Sequence, residues 1–305
     1  MSFRSGLVSV VGRPNTGKST LVNALAGEKV AITSSRPQTT RHIVRGVVHR
    51  PNGQVVFVDT PGLHKPRTLL GKRLNDEVRH ALADVDVIAV TLPADEPIGP
   101  GDRFISDAAA KIERAPKIAV VTKSDRVGQA QMAAHLQEVA DLAGRAGFEW
   151  TEVIPVSAVT GEQVELLVEL LIPLLPEGQP FFPSDQVTDE PQLVRVAELI
   201  REAVLEGVRD ELPHSIAVVV EEIVPRDDRP AERPLTDVRA TLYVERSSQK
   251  AIVIGQAGTR LRQVGSDARR EIEQLLGVPV YLDLRVKVAK EWQRDPKQMR
   301  RVGFS

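Results

Sequence analysis

The chain predicts a three-layer α/β domain on a mostly parallel sheet, followed by a small α+β domain. Three observations carry this reading. Apolar runs at Leu7–Val11, Val55–Val58, Val85–Val90, Ile118–Val121 and Val153–Val156 are nearly continuous, as strands covered on both faces are. Stretches of helical character separate them. Pro176-Glu177-Gly178-Gln179-Pro180 and Pro183-Ser184-Asp185 then break the alternation, and a different pattern follows. These breaks place the first domain at 1–176, a linker at 177–190, and the second domain with its tail at 191–305.

In the first domain a helix is expected from Thr20 to Ala26. The more amphipathic strand Ile43–His49 suits an edge. Further helices cover Thr68–Leu82, Asp102–Lys111, Met132–Ala146 and Glu162–Leu175. The second domain opens with a helix over Leu193–Leu205 and a strand over Ile216–Ile223, then a polar loop from Pro225 to Pro234. Shorter strands follow at Val238–Glu245 and Lys250–Ile254. A helix covers Leu261–Leu276, and in the last strand, Val280–Val286, Asp283 and Arg285 alternate with apolar neighbours.

A chain of 305 residues with 42% hydrophobic composition can bury a core in each domain. It has no cysteine, which excludes disulfides, thiolate chemistry and Cys-based zinc sites and suits a reducing cytosol. Residues Met1 to Gly6 run into the first strand without a signal-peptide core. No run of eighteen apolar residues occurs, so no transmembrane helix is expected.

Chemistry concentrates after the first strand. Gly12-Arg13-Pro14-Asn15-Thr16-Gly17-Lys18-Ser19, with Thr20 opening the helix behind it, has the form G-x-x-x-x-G-K-[ST] between a strand and a helix. Backbone N–H groups of such a loop form an anion nest at a helix N-terminus. Lys18 would reach the β- and γ-phosphates of a nucleotide, and the Ser19 hydroxyl would meet Mg²⁺. Asp59-Thr60-Pro61-Gly62 closes a second buried-type strand, where a carboxylate can hold Mg²⁺ and a glycine N–H can sense a γ-phosphate. Thr39-Thr40-Arg41 lies in a polar segment able to close over nucleotide. Residue types alone do not choose between the two threonines. Thr40 is taken with Ser19 and Asp59 for the metal, and with Lys18 and Gly62 for hydrolysis.

Base choice follows from Thr122-Lys123-Ser124-Asp125 and Ser157-Ala158, each at the end of a buried-type strand. A carboxylate at Asp125 can accept from guanine N1–H and its exocyclic amine, a donor pair that adenine lacks. A mispaired base would cost about 1–3 kcal/mol. Lys123 can lay its alkyl stem along the base, and the N–H groups of Ser157 and Ala158 can meet guanine O6. GTP and GDP with Mg²⁺ are therefore the expected ligands.

In the second domain, Gly255-Gln256-Ala257-Gly258 precedes Thr259-Arg260-Leu261-Arg262 at a helix start. From Arg239 to Ser305 there are 14 Lys/Arg and 7 Asp/Glu, a net of +7. A basic stripe beside a G-x-x-G loop fits single-stranded RNA, with Arg260 and Arg262 at hand for phosphates. A protein-binding surface is the rival reading. Trp292 could stack on a base or anchor the tail in the core.

Together these residues resemble the Era GTPase family, a P-loop GTPase joined to a KH-type (type II) RNA-binding domain. The resemblance covers essentially the whole chain. Its marks are Gly12 to Thr20, Gln38 to Arg41, Asp59 to His64, Ser157 to Gly161, the E-L-P-H-S run Glu211 to Ser215, and the Gly255–Gly258 loop. The resemblance implies slow GTP hydrolysis coupled to binding of 16S ribosomal RNA near its 3′ end, in assembly of the small ribosomal subunit. It also implies a cytoplasmic protein, taken here as a monomer, in peripheral contact with the inner face of the cell membrane. Thr122 stands where the family motif N-K-x-D begins with asparagine, and Ala257 where KH loops often carry lysine. Leu63, as in the family, replaces the glutamine with which Ras-like enzymes orient water, so hydrolysis must lean on Lys18, Mg²⁺ and backbone N–H groups. His64 reads as a switch residue. An Asp125→Asn variant is expected to shift preference from guanine to xanthine nucleotides. Competition calorimetry measures this, and equal affinity of the unaltered protein for ATP and GTP would overturn the base assignment.

Overall fold

The computed structural model describes residues 2–34, 39–62, 68–206, 215–230 and 233–303. The chain divides into two compact units, Met1–Pro66 with Gly71–Asp189, and Arg67–Leu70 with Glu190–Ser305.

The first unit is built on strands β1 (Arg4–Val11), β2 (Val44–Arg50), β3 (Gly53–Asp59), β4 (Val87–Pro93), β5 (Lys117–Thr122) and β6 (Glu152–Val156). They form one sheet in the order β2-β3-β1-β4-β5-β6. All pairs are parallel except the β2–β3 hairpin, which makes β2 the antiparallel edge. Helices α1 (Lys18–Ala26), α2 (Leu69–Ala83), α3 (Pro100–Ala110) and α4 (Gln129–Ala146) lie between strands, and α5 (Val164–Leu171) follows β6. Successive side chains of a strand leave opposite faces, and the core divides accordingly. Val87 and Ala89 pack with Leu21, Val22 and Leu25 of α1 and Leu167, Val168 and Leu171 of α5. Ile88, Val90 and Leu92 pack with Ile105 and Ala109 of α3 and Val139 and Leu142 of α4.

Residues 177–189, read from the sequence as linker, lie along this unit. Gly178 N–H donates to Phe3 O at 3.1 Å and Arg4 faces Glu177 at 3.5 Å. The buried Gln54 carboxamide accepts from Phe181 and Phe182 N–H at 2.7 and 3.1 Å and donates to Phe182 O at 2.8 Å. Val47 N–H then donates to Val187 O at 2.8 Å, and Arg45 pairs with Asp189 at 2.7 Å. A segment rich in proline and glycine makes no helix, but its extended backbone finds partners along the otherwise bare edge of β2.

The second unit runs α6 (Gln192–Leu205), β7 (Ala217–Pro225), β8 (Thr236–Val244), α7 (Ser247–Ile254), α8 (Thr259–Leu276), β9 (Val280–Val288) and α9 (Pro296–Arg301). Its sheet has the order β7-β8-β9, antiparallel at β7–β8 and parallel at β8–β9. Val238, Ala240, Leu242 and Val244 of the central strand are all buried, as are Val264, Ala268 and Ile272 at four-residue spacing on α8. One expectation fails here. Residues 250–254 belong to helix α7, not a strand. Gln249 Oε1 accepts from Glu245 N–H and Arg246 N–H at 2.9 and 3.0 Å, which satisfies donors at the helix start. Only Val253 of the helix is buried. An apolar run of four is too short to reveal its period.

Trp292 is a core anchor. Its indole is fully buried and donates to Ser215 O at 3.0 Å. A Trp292→Ala variant is expected to destabilise the second unit by about 3–5 kcal/mol. Urea titration followed by circular dichroism would detect it, and a loss below about 1 kcal/mol would contradict this packing role.

Candidate nucleotide and RNA sites

Strand β1 lies between β3 and β4, so the loop after Val11 opens where chain connections diverge to either side. Gly12 is dictated by contact, because a Cβ there would stand 2.1 Å from Thr91 Oγ1. Asn15 and Gly17 take φ values of 66° and 89°, the left-handed turns that gather successive N–H groups on one side. Helix α1 then begins at Lys18 with no side-chain cap, leaving its first turn suited to an anion.

Hydroxyls fasten this loop from behind. Thr122 Oγ1 donates to Thr16 O at 2.6 Å. Thr16 and Thr91 hydroxyls lie 2.6 Å apart, and Thr91 Oγ1 donates to Val11 O at 3.1 Å. The sequence reading did not single out Thr91. Its one signal was a polar residue near the end of an otherwise apolar strand.

Two ionisable side chains, Lys18 of the loop and Asp59 at the end of β3, are buried here. Lys18 Nζ donates to Gly12 O at 3.1 Å and Arg13 O at 2.9 Å. Burial, opposed by Asp59 and helped by Arg13, lowers its pKa to about 8. Asp59 is fully buried, and burial raises its pKa against the pull of Lys18 and hydrogen bonds from Ser19 and Thr40. Its Oδ2 accepts from Ser19 Oγ at 2.7 Å and Thr40 Oγ1 at 3.2 Å, while the two hydroxyls lie 2.9 Å apart. Asp59 Oδ1 is buried with no hydrogen-bond partner among the described residues. Three oxygen side chains converging with one unsatisfied carboxylate oxygen fit a hard divalent cation. Thr40 is thus the threonine brought to Ser19 and Asp59. Thr60 Oγ1 is turned back to Val10 O at 2.9 Å. Gly62 lies against the loop, where a Cβ would come 2.9 Å from Pro14 N. Thr20, Thr39 and Pro14 line a small cavity of about 50 Å³ with Lys18 and Ser19. Gln38, Leu63 and His64 fall outside the described residues.

Two expected contributions change. The Arg13 guanidinium is bound to Asp102 and Glu96, at 3.1 and 2.7 Å, so what this residue offers a nucleotide is backbone. Ser157 N–H donates to Glu162 O at 3.1 Å, leaving Ala158 N–H to meet a base. A turn closing on itself claims the first donor, which a dipeptide motif cannot reveal. Asp125 follows Lys123 in a short 3₁₀ turn and is exposed, free to accept from a base.

In the second unit the G-x-x-G loop joins α7 to α8, and Ala257 itself is left-handed at φ 49°. A groove of about 560 Å³ opens beside it between α8 and β9, lined by Ala257, Gly258, Arg262, Gly265, Arg269 and Tyr281 among others. The faces of α8 divide cleanly. Positions 258, 262, 265 and 269 follow the helical repeat toward the groove, and 264, 268 and 272 enter the core. Arg262 Nη2 donates across the loop to Ala257 O at 3.1 Å. Arg260 points elsewhere, donating to Val204 O and Glu206 O at 3.3 and 3.0 Å at the end of α6. Lone arginines near a loop look alike in sequence, and helix phase separates them. Arg269 and the exposed Tyr281, over whose ring Arg226 sits at 5.2 Å, were not singled out from sequence. Of the E-L-P-H-S run only Ser215 is among the described residues.

Residues 7–123 match the family described as 50S ribosome-binding GTPase, and 211–293 match the KH domain family. GTPase Era of Streptomyces coelicolor is 62% identical over 99% of this chain and 95% of its own length. The chain belongs to the Era GTPase family. Era of Nocardioides is 60% identical over 99% of this chain and 97% of its own. Two solved Era structures, each 38% identical, cover 99% of this chain. An alanine variant from Aquifex aeolicus bound to GDP·AlF4⁻ matches over 100% of that chain with TM-score 0.92. Era in complex with MgGDPNP and nucleotides 1506–1542 of 16S ribosomal RNA matches over 99% of that chain with TM-score 0.93.

Lys18 generates a pH prediction. With a pKa of about 8 against the ordinary 10.5, folded unliganded protein holds fewer protons than the unfolded chain between these values. Its stability contribution therefore rises with pH across that window. Nucleotide phosphates favour the charged ammonium, so GDP binding between about pH 8 and 10 should take up protons. Calorimetry in buffers of different ionisation enthalpy reads the uptake, and Lys18→Met should abolish it. Uptake that persists in the variant would assign the proton to another group.

Proposed function

We propose that this chain is a GTP-hydrolysing switch that binds 16S ribosomal RNA near its 3′ end and assists assembly of the small ribosomal subunit. The observation that carries the switch is the convergence of Ser19, Thr40 and Asp59 beside buried Lys18. Ser19, Thr40 and Asp59 would hold Mg²⁺, which neutralises charge on the β- and γ-phosphate oxygens when bound. Lys18, buried beside them, would bring a second positive charge to the same phosphates. Gly62, packed on Pro14, couples the segment after β3 to the phosphate loop. Asp125 selects guanine by accepting its paired donors. With leucine at 63, intrinsic turnover is slow.

Residues 191–305 are the RNA-binding domain, joined to the GTPase domain of residues 1–176 through 177–190. Its groove offers a backbone loop, Arg262 and Arg269 for phosphates, and exposed Tyr281 for stacking. GTP state and RNA affinity are coupled: RNA that prefers the GTP form raises GTP affinity by the same factor. The protein works as a cytoplasmic monomer, and contact with the inner membrane face is peripheral, through the basic surface.

Crosslinking of the purified full chain to total bacterial RNA, with a GTP analogue or GDP, tests this reading. Recovery of the 16S 3′ end should depend on nucleotide and weaken as salt rises. Gly258→Asp should remove it at least about tenfold, since it adds a carboxylate to the loop at a φ that aspartate tolerates better than most residues. Equal RNA recovery in both nucleotide states would remove the switch. Salt-independent capture of a protein, with no RNA, would overturn the RNA assignment.

A further inference from the structure

The phosphate loop and the guanine-reading loop are joined by charged side chains from the segment between β4 and α3, which belongs to neither motif. Asp102, buried in the first turn of α3, accepts from Arg13 Nε at 3.1 and 3.2 Å and from Gly99 N–H at 2.9 Å. Arg13 Nη1 pairs with Glu96 at 2.7 Å. Glu96 also takes Lys123 Nζ at 3.4 Å. The same ammonium stands 3.1 Å from Asp95, which in turn pairs with Arg126 at 3.0 Å. Burial alone would raise the Asp95 carboxyl, but Arg126 and Lys123 hold it below the ordinary value.

Two features make this more than surface pairing. Lys123 is the residue whose stem is to lie on the base, and its backbone is itself left-handed at φ 59°. A four-carbon stem loses much rotamer freedom when fixed, and anchoring its head before the base arrives removes that cost from binding. At 122, moreover, the asparagine usual in this motif is absent. The Thr122 hydroxyl gives the phosphate loop one hydrogen bond, to Thr16 O, where a carboxamide could both donate and accept. The Glu96 carboxylate, shared by Arg13 and Lys123, supplies a second tie between the loops.

We propose that Asp95 and Glu96 are positioning residues for guanine-nucleotide binding: they hold Lys123 over the base, tie it through Arg13 to the phosphate loop, and so slow nucleotide release. The proposal rests on the guanine-nucleotide reading above. Stopped-flow release of a fluorescent GDP from the full chain tests it. Asp95→Asn and Glu96→Gln should each speed release about threefold to tenfold, while the preference for guanine over hypoxanthine, set by Asp125, stays as it was. Arg13→Gln and Asp95→Asn alter side chains with no hydrogen bond or ion pair between them. If the network acts as a unit, their combined effect on release falls short of the product of the single effects. Release at the unaltered rate in both single variants, or faster release only in step with a lowered melting temperature, would reduce the network to a support for α3 and overturn the proposal. Should the unaltered protein fail to bind GDP, the nucleotide reading itself falls. Binding intact with variants unchanged refutes only the network.

Discussion

Lys18 and Asp59 bury groups of opposite charge at the head of the first sheet, and the loops there are arranged around them. Burial pushes each toward its neutral form, the lysine down and the aspartate up. In this arrangement Lys18 spans two carbonyls of its own loop, and Asp59 gathers Ser19 and Thr40. A polyanion and a divalent cation entering together would favour the charged form of both residues. That mutual dependence gives the pocket its chemistry: one charge without the other is costly in a low dielectric.

The same pair ties the flanking segments to the phosphate loop. Thr40 reaches Asp59 directly, and Gly62 contacts Pro14 so closely that a side chain would not fit. A change at the phosphate loop therefore alters contacts of both segments. On the side of Lys123, the hydroxyl bond from Thr122 and the carboxylates of 95, 96 and 102 fix the loops to the sheet and to α3.

The second unit is built differently, with an open groove in place of a deep pocket. One face of α8 is spent on the core and the other opens a groove beside β9. Small residues at 258 and 265 keep backbone accessible there, while Arg262 and Arg269 bring charge. Arg260 is adjacent in sequence yet closes the end of α6. Proximity along the chain says little about which cation faces a ligand, whereas helix phase does.

The sequence by itself determined the α/β class, the G-x-x-x-x-G-K-S loop after the first strand, the strand-end carboxylate at Asp59, the aspartate at 125 and the two-glycine loop. Each is a local pattern whose residue types must follow a strand end or precede a helix, so spacing alone carries it. Tertiary structure decided what depends on partners distant in sequence. It chose Thr40 over Thr39 at the Asp59 carboxylate, took the Ser157 N–H and the Arg13 guanidinium out of ligand reach, and buried Trp292. It also turned 247–254 into a helix, where a four-residue apolar run has no readable period. Hydrogen bonds and ion pairs spanning tens of residues are selected by how elements pack, and no single stretch of chain contains that information.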